Sequence, residues 1–140
     1  MTAWRCSTVR LLSRAVGGRP VRVSFSADGR TVAAALSAAR EVAFVSVAPD
    51  APPGAGAGGS IDVRRVTVGG MPDGLLFAGA GGRWYVSDLT APRLSIVDPV
   101  RGRVDAVYTF EGSSAGAIVQ LAYGGRVGGL VCQVVRNPGP

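Results

Sequence analysis

The chain has 140 residues, 21 of them Gly and 9 Pro, and a formal net charge of +6 in which every cation is arginine; it contains neither lysine nor histidine. Without histidine there is no imidazole to ligate a metal or to exchange protons near neutral pH, which removes the commonest catalytic toolkit. The apolar share of 47% is enough to fill a core in a chain of this length, and Gly and Pro between runs of Val, Leu, Ala and Ile predict short strands and tight turns, a single all-β domain over 1–140.

The first residues carry Arg5, Arg10, Arg14 and Arg19 with no acid before Asp28. They lack the apolar core of a secretory signal, so a cytoplasmic location is the default; acid-free, Arg- and Ser-bearing composition also fits an organellar transit peptide over 1–19. The competing reading comes from a repeat. Val16-Gly17-Gly18-Arg19-Pro20 has the layout of Val68-Gly69-Gly70-Met71-Pro72, and each follows a strand-like run, which predicts an outer strand over 8–15. Only the strand reading explains the recurring V-G-G-x-P. The arginines are isolated, with Arg64-Arg65 the longest basic run, and they lack interleaved aromatics or a binding motif. They read as solvated charge, and no nucleic-acid partner is expected.

A first repeat unit is predicted over 20–68, interrupted by a loop over 48–60 with the sequence APDAPPGAGAGGS. Its Gly54 to Gly59 run is no phosphate cradle, because a helix must follow such a glycine loop and strand-like residues from Ile61 follow instead. A second unit over 72–110 reads as four strands: 73–78, 83–88, 93–97 and 104–110. The turn between the last two begins at Asp98-Pro99 and ends at Gly102. Pro20 and Pro72, Phe25 and Phe77, and Val42 and Leu94 correspond at a spacing of 52 residues. Gly81-Gly82-Arg83 recurs at Gly124-Gly125-Arg126, a spacing of 43, which predicts a partial third unit over 117–135.

Gly112-Ser113-Ser114-Ala115-Gly116 matches the G-x-S-x-G elbow, but that motif needs a strand-to-helix turn and a histidine, so it reads as a turn of small residues. Asp73, Asp88 and Asp98 could be drawn together as a carboxylate cluster; closing strands and starting turns is the preferred role for each. Trp84 and Tyr85 are expected to pack on opposite faces of one strand. Cys6 and Cys132 stand in no ligand spacing and read as buried or incidental thiols, with a bridge between them left open. The uncharged run 112–125 ends at Arg126, short of a membrane span. No catalytic, cofactor-binding or metal-binding residue is assigned.

The second unit resembles the YVTN-type repeat of β-propellers. Tyr85-Val86-Ser87-Asp88 stands where YVTN would, Ile96-Val97-Asp98 matches the ending of the third strand, and Phe25-Ser26-Ala27-Asp28-Gly29-Arg30 resembles the turn shared with WD-repeat propellers. The first unit departs from the pattern at Val32-Ala33-Ala34-Ala35 and at Ser46. The resemblance implies consecutive four-stranded antiparallel blades of an incomplete β-propeller, with a small β-sandwich as the structural alternative. It also implies a non-catalytic segment acting through protein–protein interaction or assembly, with a protein partner or self-association completing the ring. The alternative is a fragment or subunit of a larger propeller enzyme, lactonase-like or periplasmic oxidoreductase-like, whose active residues lie outside this chain.

Overall fold

A computed structural model describes residues 15–47, 61–78, 82–110, 116–124 and 129–136. The expected strand over 8–15 lies outside them but for Ala15. So do the loop over 48–60, Cys6, and all of Gly112 to Gly116 but its last residue. The described chain is all-β. Strands β1 (Pro20–Phe25), β2 (Thr31–Leu36), β3 (Glu41–Val47) and β4 (Ile61–Thr67) form one antiparallel sheet in chain order, and β5 (Pro72–Ala78), β6 (Arg83–Asp88), β7 (Arg93–Asp98) and β8 (Arg103–Thr109) form a second. A two-stranded antiparallel pair, β9 (Gly116–Gly124) and β10 (Gly129–Arg136), follows. Among the described residues there is no closed barrel and no α-helix; a 3-10 turn over Ser37–Ala39 links β2 to β3.

Local chemistry fixes the turns. Between β1 and β2, Asp28 Oδ1 accepts hydrogen bonds from Ser26 Oγ at 2.6 Å and from the Arg30 N–H at 3.0 Å, while Ser26 Oγ accepts from Thr31 N–H at 3.0 Å. Gly29 takes φ +69° there, a left-handed conformation that costs a residue with a Cβ more. Between β7 and β8, Asp98 Oδ1 accepts from Val100 N–H at 2.8 Å and Arg101 N–H at 3.1 Å, the side-chain-to-backbone turn anticipated for an Asp before Pro. The last strand ends one residue earlier than the alternation suggested. Thr109 makes the final ladder pair with Arg93, and the Phe110 N–H turns to the Pro92 carbonyl at 2.9 Å.

The two sheets are copies of one another in register, not merely in outline. Pro20 pairs with Leu36 as Pro72 pairs with Asp88, Phe25 with Val32 as Phe77 with Trp84, and Ala33 with Phe44 as Tyr85 with Ile96. Both first strands carry an irregularity just after the proline. Even the closing bond recurs: Val68 N–H donates to the Arg40 carbonyl at 3.0 Å where Phe110 N–H donates to Pro92. The placement of sheets repeats too. β5 runs against β1 and β2, and β9 runs against β5 and β6.

The core lies between the sheets. Ala33, Ala35, Val42, Phe44 and Val66 face inward from the first sheet, and Leu75, Trp84, Val86 and Val97 meet them from the second. Trp84 is the keystone by size, with Phe44 edge-on at 5.4 Å between ring centroids and Phe77 tilted against it at 4.9 Å. The run Val32-Ala33-Ala34-Ala35 lacks polar alternation for a physical reason: Ala33 to Leu36 are all buried, so neither face of β2 asks for a polar side chain.

Candidate functional site

Three places in the fold combine exposed or strained chemistry with fixed geometry. The first is a cleft of about 790 Å³ between the sheets, at the end where β1 turns into β2 and β7 into β8. Phe77, Trp84, Ile96 and Val97 supply its apolar lining, and Asp28, Arg83, Asp98, Arg101 and Asp105 its charged lining. The asparagine-like turn duty of two of these acids sets their protonation. The hydroxyl of Ser26 and the Arg30 N–H hold the Asp28 carboxyl below its ordinary value. The Arg101 N–H does the same for Asp98, assisted by Val100 N–H against a smaller opposing effect of desolvation. Arg103 Nε stands 3.0 Å from Asp105 and Arg101 Nε 3.7 Å from Asp98.

Groups held ionised in this way accept hydrogen bonds and pair with cations; they do not deliver protons near neutral pH. Among the described residues no three His, Cys, Asp or Glu side chains converge as a metal-holding group. Two of the buried serines are committed to structure: Ser37 Oγ donates to the Pro72 carbonyl, and Ser87 Oγ accepts from Gly74 N–H at 2.9 Å.

The second place is the joint where the first sheet hands the chain to the second. Asp88 closes β6 and is 4% exposed. Its Oδ1 accepts from Thr90 N–H and Thr90 Oγ, each at 2.8 Å, and its Oδ2 takes Arg93 through Nε at 3.1 Å and through a second guanidinium nitrogen. Burial pushes this carboxyl up, yet the hydrogen bonds from Thr90 and Arg93 outweigh it, and the group sits below its ordinary value. Arg93 also donates to the Gly69 carbonyl at 3.3 Å, tying the ion pair to V-G-G-x-P. In the first copy the corresponding joint uses Arg65, which pairs with Glu41 at 3.4 Å and donates to the Val16 carbonyl.

The third place is the outward face of the first sheet. Val23 and Phe25 on β1 are 58% and 63% exposed. Their counterparts at the same register in the second sheet, Leu75 and Phe77, pack into or against the core.

The three acids weighed as a cluster are not one. Asp73 and Asp88 lie at the Pro72 end of the second sheet, where Asp73 stands 4.0 Å from Arg22, while Asp98 sits at the opposite end of β7. What does come together is Asp28, Asp98 and Asp105 around the cleft. Sequence reasoning did not group these three. The available signal was that Asp28-Gly29 and Asp98…Gly102 occupy turns at the same end of neighbouring meanders. Trp84 is buried toward the first sheet and Tyr85 half-buried on the other face.

The described chain is all-β, with two consecutive four-stranded antiparallel meanders. Comparison with family models, with curated proteins and with solved structures finds no match. Among the described residues no helix is long and apolar enough to cross a membrane.

Proposed function

We propose that this chain is a non-catalytic, β-propeller-like run of sheets that works by protein–protein contact. The observation that carries the reading is the two-sided apolar character of the first sheet. In a lone two-layer sandwich each sheet shows the core one face and water the other, and its strands alternate accordingly. Here the inward positions Ala33, Ala35, Val42 and Phe44 are matched by outward positions Val23, Phe25, Val32, Ala34 and Val45. A sheet apolar on both sides belongs between neighbours, and the repeating placement of β1, β5 and β9 supports an array of blades as the arrangement that supplies them. Two of the acids lining the cleft, Asp28 and Asp98, favour the same side of the argument, since they are occupied in turns and held ionised.

The test is made in the source cells. The chain carries an epitope tag at its native level, the cells are lysed gently, and the lysate is sized without further dilution. Recovery in a discrete complex well above 14.2 kDa is the expected result. A chain that runs wholly at its own mass overturns the contact reading.

A further inference from the structure

The two sheets correspond position for position, yet one corner differs in kind. Ala35, Leu36 and Ala43 of the first sheet are each 0% exposed, and their ladder counterparts in the second are Ser87, Asp88 and Ser95, equally buried but polar. Burying polar groups where the same plan elsewhere carries hydrocarbon costs stability unless each finds a partner. Asp88 accepts from Thr90 and Arg93, and Ser87 accepts from the Gly74 N–H. Ser95 differs from both: it is 4% exposed, and its Oγ makes no hydrogen bond to any described residue. Ser95 pairs with the core residue Val86, so its side chain points between the sheets, into a cavity of about 10 Å³ that is also lined by Val68, Gly70, Pro72, Ser87 and Asp88. Gly70 is the second unsatisfied group there. It is buried, and its backbone N–H meets no acceptor among the described residues. Buried N–H groups without a partner are rare, and ordered water serves them where the protein does not.

We infer that this cavity binds one water molecule, held by the Ser95 hydroxyl and the Gly70 N–H, as a fixed part of the joint between the sheets. Size selects the occupant, since a cavity of about 10 Å³ has room for a single water and for nothing larger. Charge selects it too. The Gly70 N–H is a donor only and the Ser95 hydroxyl has a hydrogen to give, which no metal cation can accept. An anion would sit beside the ionised Asp88 carboxylate and be repelled by it. A water accepts from both donors and keeps its own hydrogens for the oxygens of Asp88 and Ser87 in the lining. The first sheet, with Ala35, Leu36 and Ala43 at the matching positions, presents nothing there for a water to bind. Such a site belongs to the joint itself and holds whether or not the chain meets a partner.

Magnetic resonance of the isotope-labelled full chain tests this through dipolar cross-peaks between water and backbone amides. Recording them in both the laboratory and the rotating frame separates bound water from proton exchange. Ser95→Ala removes the hydroxyl, and Ser46→Ala, at an exposed position of β3, is the control. Wild type and Ser46→Ala are expected to show a cross-peak from water to the Gly70 amide, with the sign of a water that tumbles with the protein. Ser95→Ala is expected to lose that peak while the dispersion of its other amides is kept. A wild type without the peak overturns the inference, and so does a Ser95→Ala chain that keeps it at full strength. Should Ser95→Ala fail to fold, Ser95→Thr decides. Its added methyl takes up the cavity while the hydroxyl stays, so loss of the peak supports the bound water and persistence overturns it.

Discussion

Gly70 and Asp88 are packed so closely that a methyl group on the glycine would lie 2.7 Å from the Asp88 Cγ and inside the reach of Arg93. Its neighbour Gly69 has open space around it but φ of +75°. The two glycines of one motif are thus needed for different reasons, one for room and one for backbone conformation. Gly69→Ala should cost about 1 kcal/mol, the strain of a Cβ in the left-handed region. Gly70→Ala must dislodge a buried ion pair and should cost about 3 kcal/mol. Urea unfolding of the two variants beside wild type reads both, and equal costs would refute the division of labour.

Asp88 gives stability a dependence on acid. Its carboxyl lies below the ordinary value in the folded chain, so the folded state binds the proton less well than the unfolded one. The sign follows. Its contribution is complete above the unfolded carboxylate pKa of about 4 and fades as pH falls through the lower folded value. Asp88→Asn should lower stability by about 2 kcal/mol at neutral pH, because Arg93 then loses its partner in a half-buried site. The variant should also show a shallower loss between pH 5 and pH 3 than wild type. Unfolding free energies across that range provide the check, and parallel curves would remove Asp88 from the account.

Trp84 should be the costliest single truncation. It is 2% exposed and contacts aromatic rings from both sheets. Trp84→Ala should lose about 4 kcal/mol, against about 1 kcal/mol for half-buried Tyr85→Ala on the other face. Near-ultraviolet circular dichroism together with denaturant midpoints separates the two.

The Asp28 turn should matter through its geometry rather than its charge. Asp28→Asn keeps an acceptor for Ser26 and Arg30 and should be near neutral in stability, whereas Asp28→Ala should lower the thermal midpoint by leaving the turn without its side-chain acceptor. Thermal midpoints of the pair give the answer; a large loss in Asp28→Asn would point to charge.

Much of the second meander was legible because local signals agree with one another there. Arg83 to Asp88 alternates with aromatic and β-branched residues, and the turn at Asp98 to Gly102 carries its own chemistry, so strand and turn fall where alternation and turn residues put them. The repeat also told in advance that V-G-G-x-P precedes each first strand, and the left-handed Gly17 and Gly69 match. Long-range contacts were less visible. That Asp88 meets Gly70 depends on β5 lying beside β6, and the grouping of Asp28, Asp98 and Asp105 depends on two sheets stacking with their turns at one end. Val32-Ala33-Ala34-Ala35 looked like a weak copy of the repeat because burial on both faces removes the alternation by which a strand is recognised.

The mismatch between Val32 and Trp84 has a consequence for how such a molecule keeps its own parts. Sheets built to one plan and held by one kind of contact could trade places between neighbouring chains during synthesis, each stranger fitting nearly as well as the rightful companion. Divergence in bulk at matching positions works against that exchange. The indole packs against Phe44 and Phe77 in a core that also holds Ala33 and Ala35, while a valine stands at the corresponding position of the first sheet. The boundary between the two sheets thereby acquires its own key, and loyalty between the right halves comes from a difference in size.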